Sequence, residues 1–261
     1  MHNPITFFVN KMFLFLENKC KLLSKRIYRI KYEVMELTKF KILLGDITKL
    51  KFDAIVNAAN TSLLGGGGVD GSIHRSSGSR LLEESRELGG CLTGNSKITQ
   101  SYDLIENGIY WIIHTVGPIF RNNGYEEKYL RRSYKSALNN ASNYADIYLE
   151  QNINIVNNQL YRFNATSFMG NKKKENIITD IKDYINSHPI KSIAFPSIST
   201  GAYGYPLNDA SKIALEEIFS FIDEYPNVFE EIAMICYDQK TFDTFNNQYD
   251  QFNNKTSYNI S

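Results

Sequence analysis

The chain has 261 residues, 43% of them hydrophobic, enough to bury the core of one large domain or of one ordinary domain with appendages. Lys and Arg number 29 against 28 Asp and Glu, and the formal charge of +1 excludes general phosphate-backbone binding, so any grip on an anion must be local. Cys20, Cys91 and Cys236 form no C-x-x-C pair, which argues against a disulfide framework or a cysteine zinc site, and no run of about twenty apolar residues offers a membrane span.

Residues 1–37 form a basic extension. Lys11, Lys19, Lys21, Lys25, Arg26, Arg29 and Lys31 are interleaved with Phe13, Leu14, Leu16, Leu22, Leu23 and Ile27, against Glu17 and Glu33. This reads as a basic amphipathic helix, with three roles open: organelle targeting, packing on the domain, or sequence upstream of a start at Met35. Without targeting, the unpaired cysteines fit a cytoplasmic or nuclear protein.

From Lys39 onward strands and helices alternate. Phe40–Leu44, Ala54–Val56, Ile109–Val116, Ser192–Ile198 and Glu231–Cys236 read as strands, several apolar on successive residues as strands covered on both faces must be. Helical patterns span Ile73–Leu88, Glu126–Asn143 and Ile177–Ile185, and Ala210, Ile213, Ala214, Ile218, Phe221 and Ile222 mark a further helix starting near Pro206. The expected fold is a three-layer α/β/α sandwich around a mixed, mostly parallel sheet, over residues 38–253. An Asn-rich segment at about 144–175, ending in Lys172, Lys173 and Lys174, is expected to be a surface insertion, and 254–261 a tail.

The densest signal follows the second strand, at Asn57-Ala58-Ala59-Asn60 and Gly65-Gly66-Gly67-Gly68-Val69-Asp70-Gly71. Glycine is used where the backbone takes positive φ or another group approaches closely. Successive N–H groups in such a loop, with the helix N-terminus behind it, form an anion site suited to a diphosphate. Gly66, Gly68 and Gly71 also satisfy G-x-G-x-x-G, but Asp70 inside the motif would repel a pyrophosphate placed as in a Rossmann fold, and Glu83, Glu84 and Glu87 lie in a helix rather than at a strand end. Ser199, Thr200, Gly201 and Gly204 supply a second loop between a strand and a helix, so that two loops would clamp a diphosphate.

Gly45-Asp46-Ile47-Thr48, Val56 to Asn60, Leu64 to Gly71 with His74, Ile113 to Pro118, and Phe195 to Pro206 resemble, in the same order, the hydrolytic macrodomain family of the MacroD type. The resemblance covers about Phe40 to Tyr249, apart from the Asn-rich insertion. It implies ADP-ribose as ligand. Asp46 would accept from the adenine amine, Ile47 would offer a backbone contact, and Tyr237 would lie beside the base. Gly66, Gly67, Gly68 and Val69 would hold the diphosphate with Ser199, Thr200, Gly201 and Ala202. Tyr203 would cross the distal ribose and Asn57 would shape its pocket.

Asn60 would bind a ribose hydroxyl, Asp70 would orient or deprotonate the attacking water, and His74 would support it. Each has a plainer alternative: a turn residue for Asp46 and Asn60, a helix cap for Asp70, a core residue for Tyr237 and a structural histidine for His74. His114 reads as a satisfied core histidine. No metal or other cofactor is implied. The expected activity is metal-independent hydrolysis of the ester joining ADP-ribose to protein Asp/Glu or, in O-acetyl-ADP-ribose, to acetate. A monomer is expected, with no membrane partner and no nucleic acid except as an ADP-ribosylated end. A non-catalytic ADP-ribose reader is the alternative, and a nucleotide-cofactor oxidoreductase the weakest reading.

Overall fold

The computed structural model describes residues 38–162 and 168–257. The basic extension, residues 163–167 and the last four residues lie outside them. In chain order the elements are β1 (Lys39–Leu44), β2 (Ala54–Ala59), α1 (Gly68–Ser77), α2 (Ser79–Glu87), β3 (Ser96–Gln100), β4 (Trp111–Val116), α3 (Glu126–Ser142), α4 (Tyr144–Arg162), α5 (Phe168–Ser187), β5 (Ser192–Pro196), α6 (Leu207–Glu224), β6 (Glu231–Cys236) and α7 (Gln239–Ser257).

The six strands form one sheet in the order β1-β6-β5-β2-β4-β3, parallel except for β3, which runs antiparallel to β4. Central strands that are apolar at consecutive positions serve both faces. Ile55, Ile112, Ala194 and Ala233 face a core completed by Ile73 of α1 and Leu81 of α2. Val56, Ile113, Phe195 and Met234 face the larger core under α3 to α7. The expected three-layer sandwich with a mixed, mostly parallel sheet is the observed architecture.

Three expectations need correction. The helical pattern Ile73–Leu88 is two helices, broken at Gly78, whose φ of +77° suits glycine and where a Cβ would overlap the Asp103 carboxylate. The Asn-rich segment, which lacks regularly spaced apolar residues in its sequence, is mostly helical. In α4, Tyr148 is buried edge-on against Trp111, and Gln151 clasps Ile98 of the edge strand β3, accepting from its N–H at 3.3 Å and donating to its carbonyl at 2.7 Å. That side chain occupies backbone groups an edge strand would otherwise leave open. Finally, the C-terminal helix α7, with Phe245 fully buried, runs through Ser257, past position 253, after which the tail was expected to begin.

Candidate active site

The sheet itself opens the site. β2 and β5 pair only at Ala54–Ile193 and Ile55–Ala194, although β2 continues to Ala59 and β5 to Pro196. The two strands part beyond those pairs, and their following segments lead to opposite sides of the sheet order, the arrangement that places ligand crevices beyond strand C-termini. A cavity of about 610 Å³ lies there, walled by both glycine-bearing loops.

Each loop carries a non-glycine residue in the left-handed region, Leu63 at φ +61° and Ser199 at φ +66°. Such backbone costs roughly 1–3 kcal/mol and persists where the surroundings hold it. Leu63 is fully buried, which anchors the first loop. The second approaches closely because residue 117 is glycine: a Cβ there would overlap the Ser199 hydroxyl. A Cβ on Gly67, Gly68 or Gly201 would meet nothing within 4 Å, so these glycines leave open space at the cavity. Helix α1 begins at Gly67 with no side-chain cap, which leaves the N–H groups of its first turn for a ligand. The hydroxyls of Ser197 and Ser199, on the facing wall, are buried without a hydrogen-bond partner.

Asp70 stands in the first turn of α1, is 4% exposed and lines the cavity. It is not the helix cap, since α1 has no side-chain cap hydrogen bond. Its Oδ1 accepts from Asn57 Nδ2 at 2.8 Å, and His74 Nε2 is 3.5 Å away, one helical turn on. Burial raises the Asp70 carboxyl above its ordinary value, against the opposing Asn57 hydrogen bond and the His74 charge. Burial also lowers His74, favouring its neutral form. Asn60 binds its own loop: Nδ2 donates to the Gly65 carbonyl at 2.8 Å and Oδ1 accepts from the Ser62 N–H at 2.9 Å. It is both the turn residue and a cavity residue. Gly66 separates the pair, because a Cβ there would stand 2.9 Å from Asp70 Oδ2 and 3.3 Å from Asn60 Nδ2.

Two expected positions are set back from the cavity wall. His74 reaches the Asp70 carboxylate and packs behind the loop, with its ring 3.3 Å from where a Gly65 Cβ would lie. Asn57 is fully buried and donates to Asp70 Oδ1 at 2.8 Å from behind the cavity wall. The other expected residues line the cavity: Asp46, Ile47, Gly66, Gly67, Gly68, Val69, Ser199, Thr200, Gly201, Ala202, Tyr203 and Tyr237. Asp46 Oδ1 accepts from the Thr48 N–H and hydroxyl at 3.0 and 2.8 Å, so its turn chemistry is present as well. Tyr237 is 83% exposed, which rules out the core reading. Burial raises the Tyr203 phenol, and the Asp70 charge adds to the shift.

Sequence reasoning missed two contributors. Arg75 lines the cavity one turn beyond Gly71, and its place as the first cation in the helix after the glycine loop was the available signal. His114 was read only as core. It is fully buried, its imidazole is pushed down to about 3, and it accepts at Nδ1 from Asn57 Nδ2 at 3.1 Å. Its Nε2 then donates to the Thr99 hydroxyl at 2.9 Å. Thr99, His114, Asn57 and Asp70 thus form one buried chain across β3, β4, β2 and α1, a link that only the strand register reveals.

The model of the Macro domain family matches residues 56–156 and 165–214. A macro domain-containing protein of Chlorobaculum tepidum is 38% identical over 202 residues, covering 77% of this chain and 90% of that one. The O-acetyl-ADP-ribose deacetylase of Salmonella gallinarum is 34% identical, covering 78% and 90%. A solved variant of the Oceanobacillus iheyensis macrodomain with ADPR has a TM-score of 0.61 at 30% identity, covering 82% of this chain and 94% of that one. On the family model and on these relatives together, the chain belongs to the Macro domain family.

Proposed function

We propose that the protein binds ADP-ribose and hydrolyses the ester joining it to protein Asp or Glu, or to acetate in O-acetyl-ADP-ribose. The observation that carries this reading is Asp70: an uncapping, buried carboxylate at the cavity wall, held by Asn57 and beside Asn60. A reader needs the loops and the helix N-terminus but has no use for a carboxylate whose ionisation burial disfavours, next to a bound diphosphate. The relatives named for O-acetyl-ADP-ribose deacetylation and solved with ADPR support the same reading.

Adenine sits at the β1 and β6 ends, between Asp46 and Tyr237, and the diphosphate between the loops of residues 66–69 and 199–202, with Arg75 as counter-charge. The distal ribose lies under Tyr203 against Asn60. Asp70 accepts a proton from the water that attacks the ester carbonyl; the bond from the acyl carbon to the ribose oxygen then breaks, the proton passes from Asp70 to that departing oxygen, and the freed carboxylic acid ionises to solvent. Asn57 and neutral His74 hold the base in place.

The test is release of free ADP-ribose from a protein esterified on Glu. The wild type is expected to release it, and Gly66→Ala, which pushes on both Asp70 and Asn60, to lower kcat about tenfold to a hundredfold with a smaller loss of ADP-ribose affinity. Wild-type binding without turnover would establish the reader instead.

A further inference from the structure

Beyond the cleft, at the same end of the sheet, a second cavity of about 540 Å³ lies between the loop before β3 and the segment that joins β4 to α3. Among the described residues, four of the exposed large hydrophobic side chains gather on it: Leu92, Ile119, Tyr125 and Tyr129, at 75%, 50%, 68% and 37% exposure. Apolar side chains gathered in one exposed place mark a contact surface more often than a packing accident. Glycine at position 94, with φ +83°, allows the upper loop to close on α3, because a Cβ there would press at 3.1 Å on both Tyr129 and Arg132.

The pocket is charged as well as apolar. Arg121 and Arg132 line it, and among the described residues neither guanidinium has an ion-pair partner, whereas the adjacent Arg131 is held by Glu127, Glu216 and Glu217. Glu126 also lines the pocket, but its carboxylate is occupied by backbone, accepting from the N–H groups of Arg121 at 2.8 Å and Asn123 at 3.2 Å. Two cations therefore remain for an external acid.

The pocket is next to the catalytic cleft, since Gly117 lines the cleft and the following residue, Pro118, lines the pocket. Phe120 N–H donates to the Tyr203 carbonyl at 2.8 Å, and Cys91 N–H donates to the Thr61 carbonyl at 2.9 Å, next to Asn60. The strand order sets the direction. Along β1-β6-β5-β2-β4-β3, adenine occupies the β1/β6 end, the diphosphate the β5/β2 crevice, and the next step leads to the β4 and β3 loops. The pocket therefore lies over the strands next to the crevice, neighbouring strands being about 4.8 Å apart.

We propose that this pocket docks the polypeptide flanking the esterified carboxylate, and that it selects segments combining acidic residues with an apolar one. The proposal rests on the hydrolase reading and adds to it that the protein ester, rather than acetate, is the substrate for which the surface is built. Charge across such a contact sets partner choice and encounter rate. A nucleic-acid end is the poorer occupant, because two arginines beside Leu92 and Ile119 do not make the basic track a phosphate backbone requires.

The test compares the full chain with an Arg121→Glu/Arg132→Glu double variant on four substrates: an ADP-ribosyl-Glu peptide with acidic neighbours, its counterpart with basic neighbours, an oligonucleotide with an ADP-ribosylated end, and O-acetyl-ADP-ribose. Wild type is expected to favour the acidic over the basic peptide by about tenfold in kcat/KM, and the variant to reverse that order, with O-acetyl-ADP-ribose turnover within about twofold. The acetyl ester thereby reports whether the variant is folded. If it is not, Arg121→Gln/Arg132→Gln should abolish the preference without reversing it. Equal turnover of both peptides by the wild type, equal loss on every ester by the glutamine variant, or an effect confined to the oligonucleotide overturns the proposal. If wild type cleaves no ester, the hydrolase reading falls. The unmodified acidic peptide then decides the pocket: weaker binding to the double variant supports it, and unchanged binding overturns it.

Discussion

Asp70→Ala is expected to slow release of ADP-ribose from a Glu ester by about a hundredfold to ten-thousandfold, the span that removal of a general base produces, while ADP-ribose still binds. Binding should survive because the proposed diphosphate site is built from the two loops and the start of α1, which no side chain caps. The wild-type rate should rise with pH along a limb lying above the ordinary carboxylate range, since burial holds the Asp70 carboxyl above 3.8 and only its ionised form accepts a proton. The variant should lose that limb.

The same shift separates lost chemistry from lost folding. An acid whose folded pKa lies above its unfolded value stabilises the fold below the unfolded pKa and loses that contribution as pH rises through the folded one. At pH 8, therefore, Asp70→Ala should be no less stable than wild type in urea unfolding, apart from a small packing loss. An inactive variant that has also unfolded would not support the account.

The second large effect is on stability, at a group remote from the chemistry. The Glu84 carboxyl in α2 is buried, with Oε2 accepting from the Gln100 N–H at 3.1 Å and the Tyr102 hydroxyl at 2.8 Å. Burial outweighs these bonds and pushes the acid from 4.5 up to about 7. At about 1.4 kcal/mol per pH unit, that difference amounts to about 3 kcal/mol. The folded state binds this proton more tightly than the unfolded chain, so the contribution is fully present below pH 4.5 and lost as pH rises through about 7. Glu84→Gln keeps an accepting oxygen in the same shape and carries no charge. It is expected to match the wild type near pH 4 and to exceed it by about 3 kcal/mol at pH 8, in urea unfolding at both pH values. A difference independent of pH would show that the carboxyl is not held above its ordinary value.

Much of this molecule was legible in its residues, for reasons that differ between parts. Strands buried on both faces must be apolar at successive positions, so β2, β4, β5 and β6 stood out, whereas β3 has the single apolar residue Ile98 and was missed. The helix α4 was missed because its hold on the domain runs through Tyr148 and through Gln151 on β3 backbone, and Asn-rich composition hides such anchors. In α7, Phe242, Phe245, Tyr249 and Phe252 repeat at helical spacing, a signal that was present and passed over. At the site, glycines announced both loops and the Asn60–Asp70 separation survived into one cavity. What sequence spacing could not supply was depth. His74 and Asn57 are close to Asp70 along the chain or across it, but only the fold shows that they stand behind the cavity wall.

The central claim is that water, positioned by Asp70, attacks the ester carbonyl. Single-turnover hydrolysis of an ADP-ribosyl-Glu peptide in water enriched in oxygen-18, followed by mass spectrometry of the freed peptide, tests it most directly. One labelled oxygen in the released Glu carboxylate is the expected result. An unlabelled carboxylate, with the heavy oxygen on the ribose instead, would contradict the account by placing the attack at the sugar carbon.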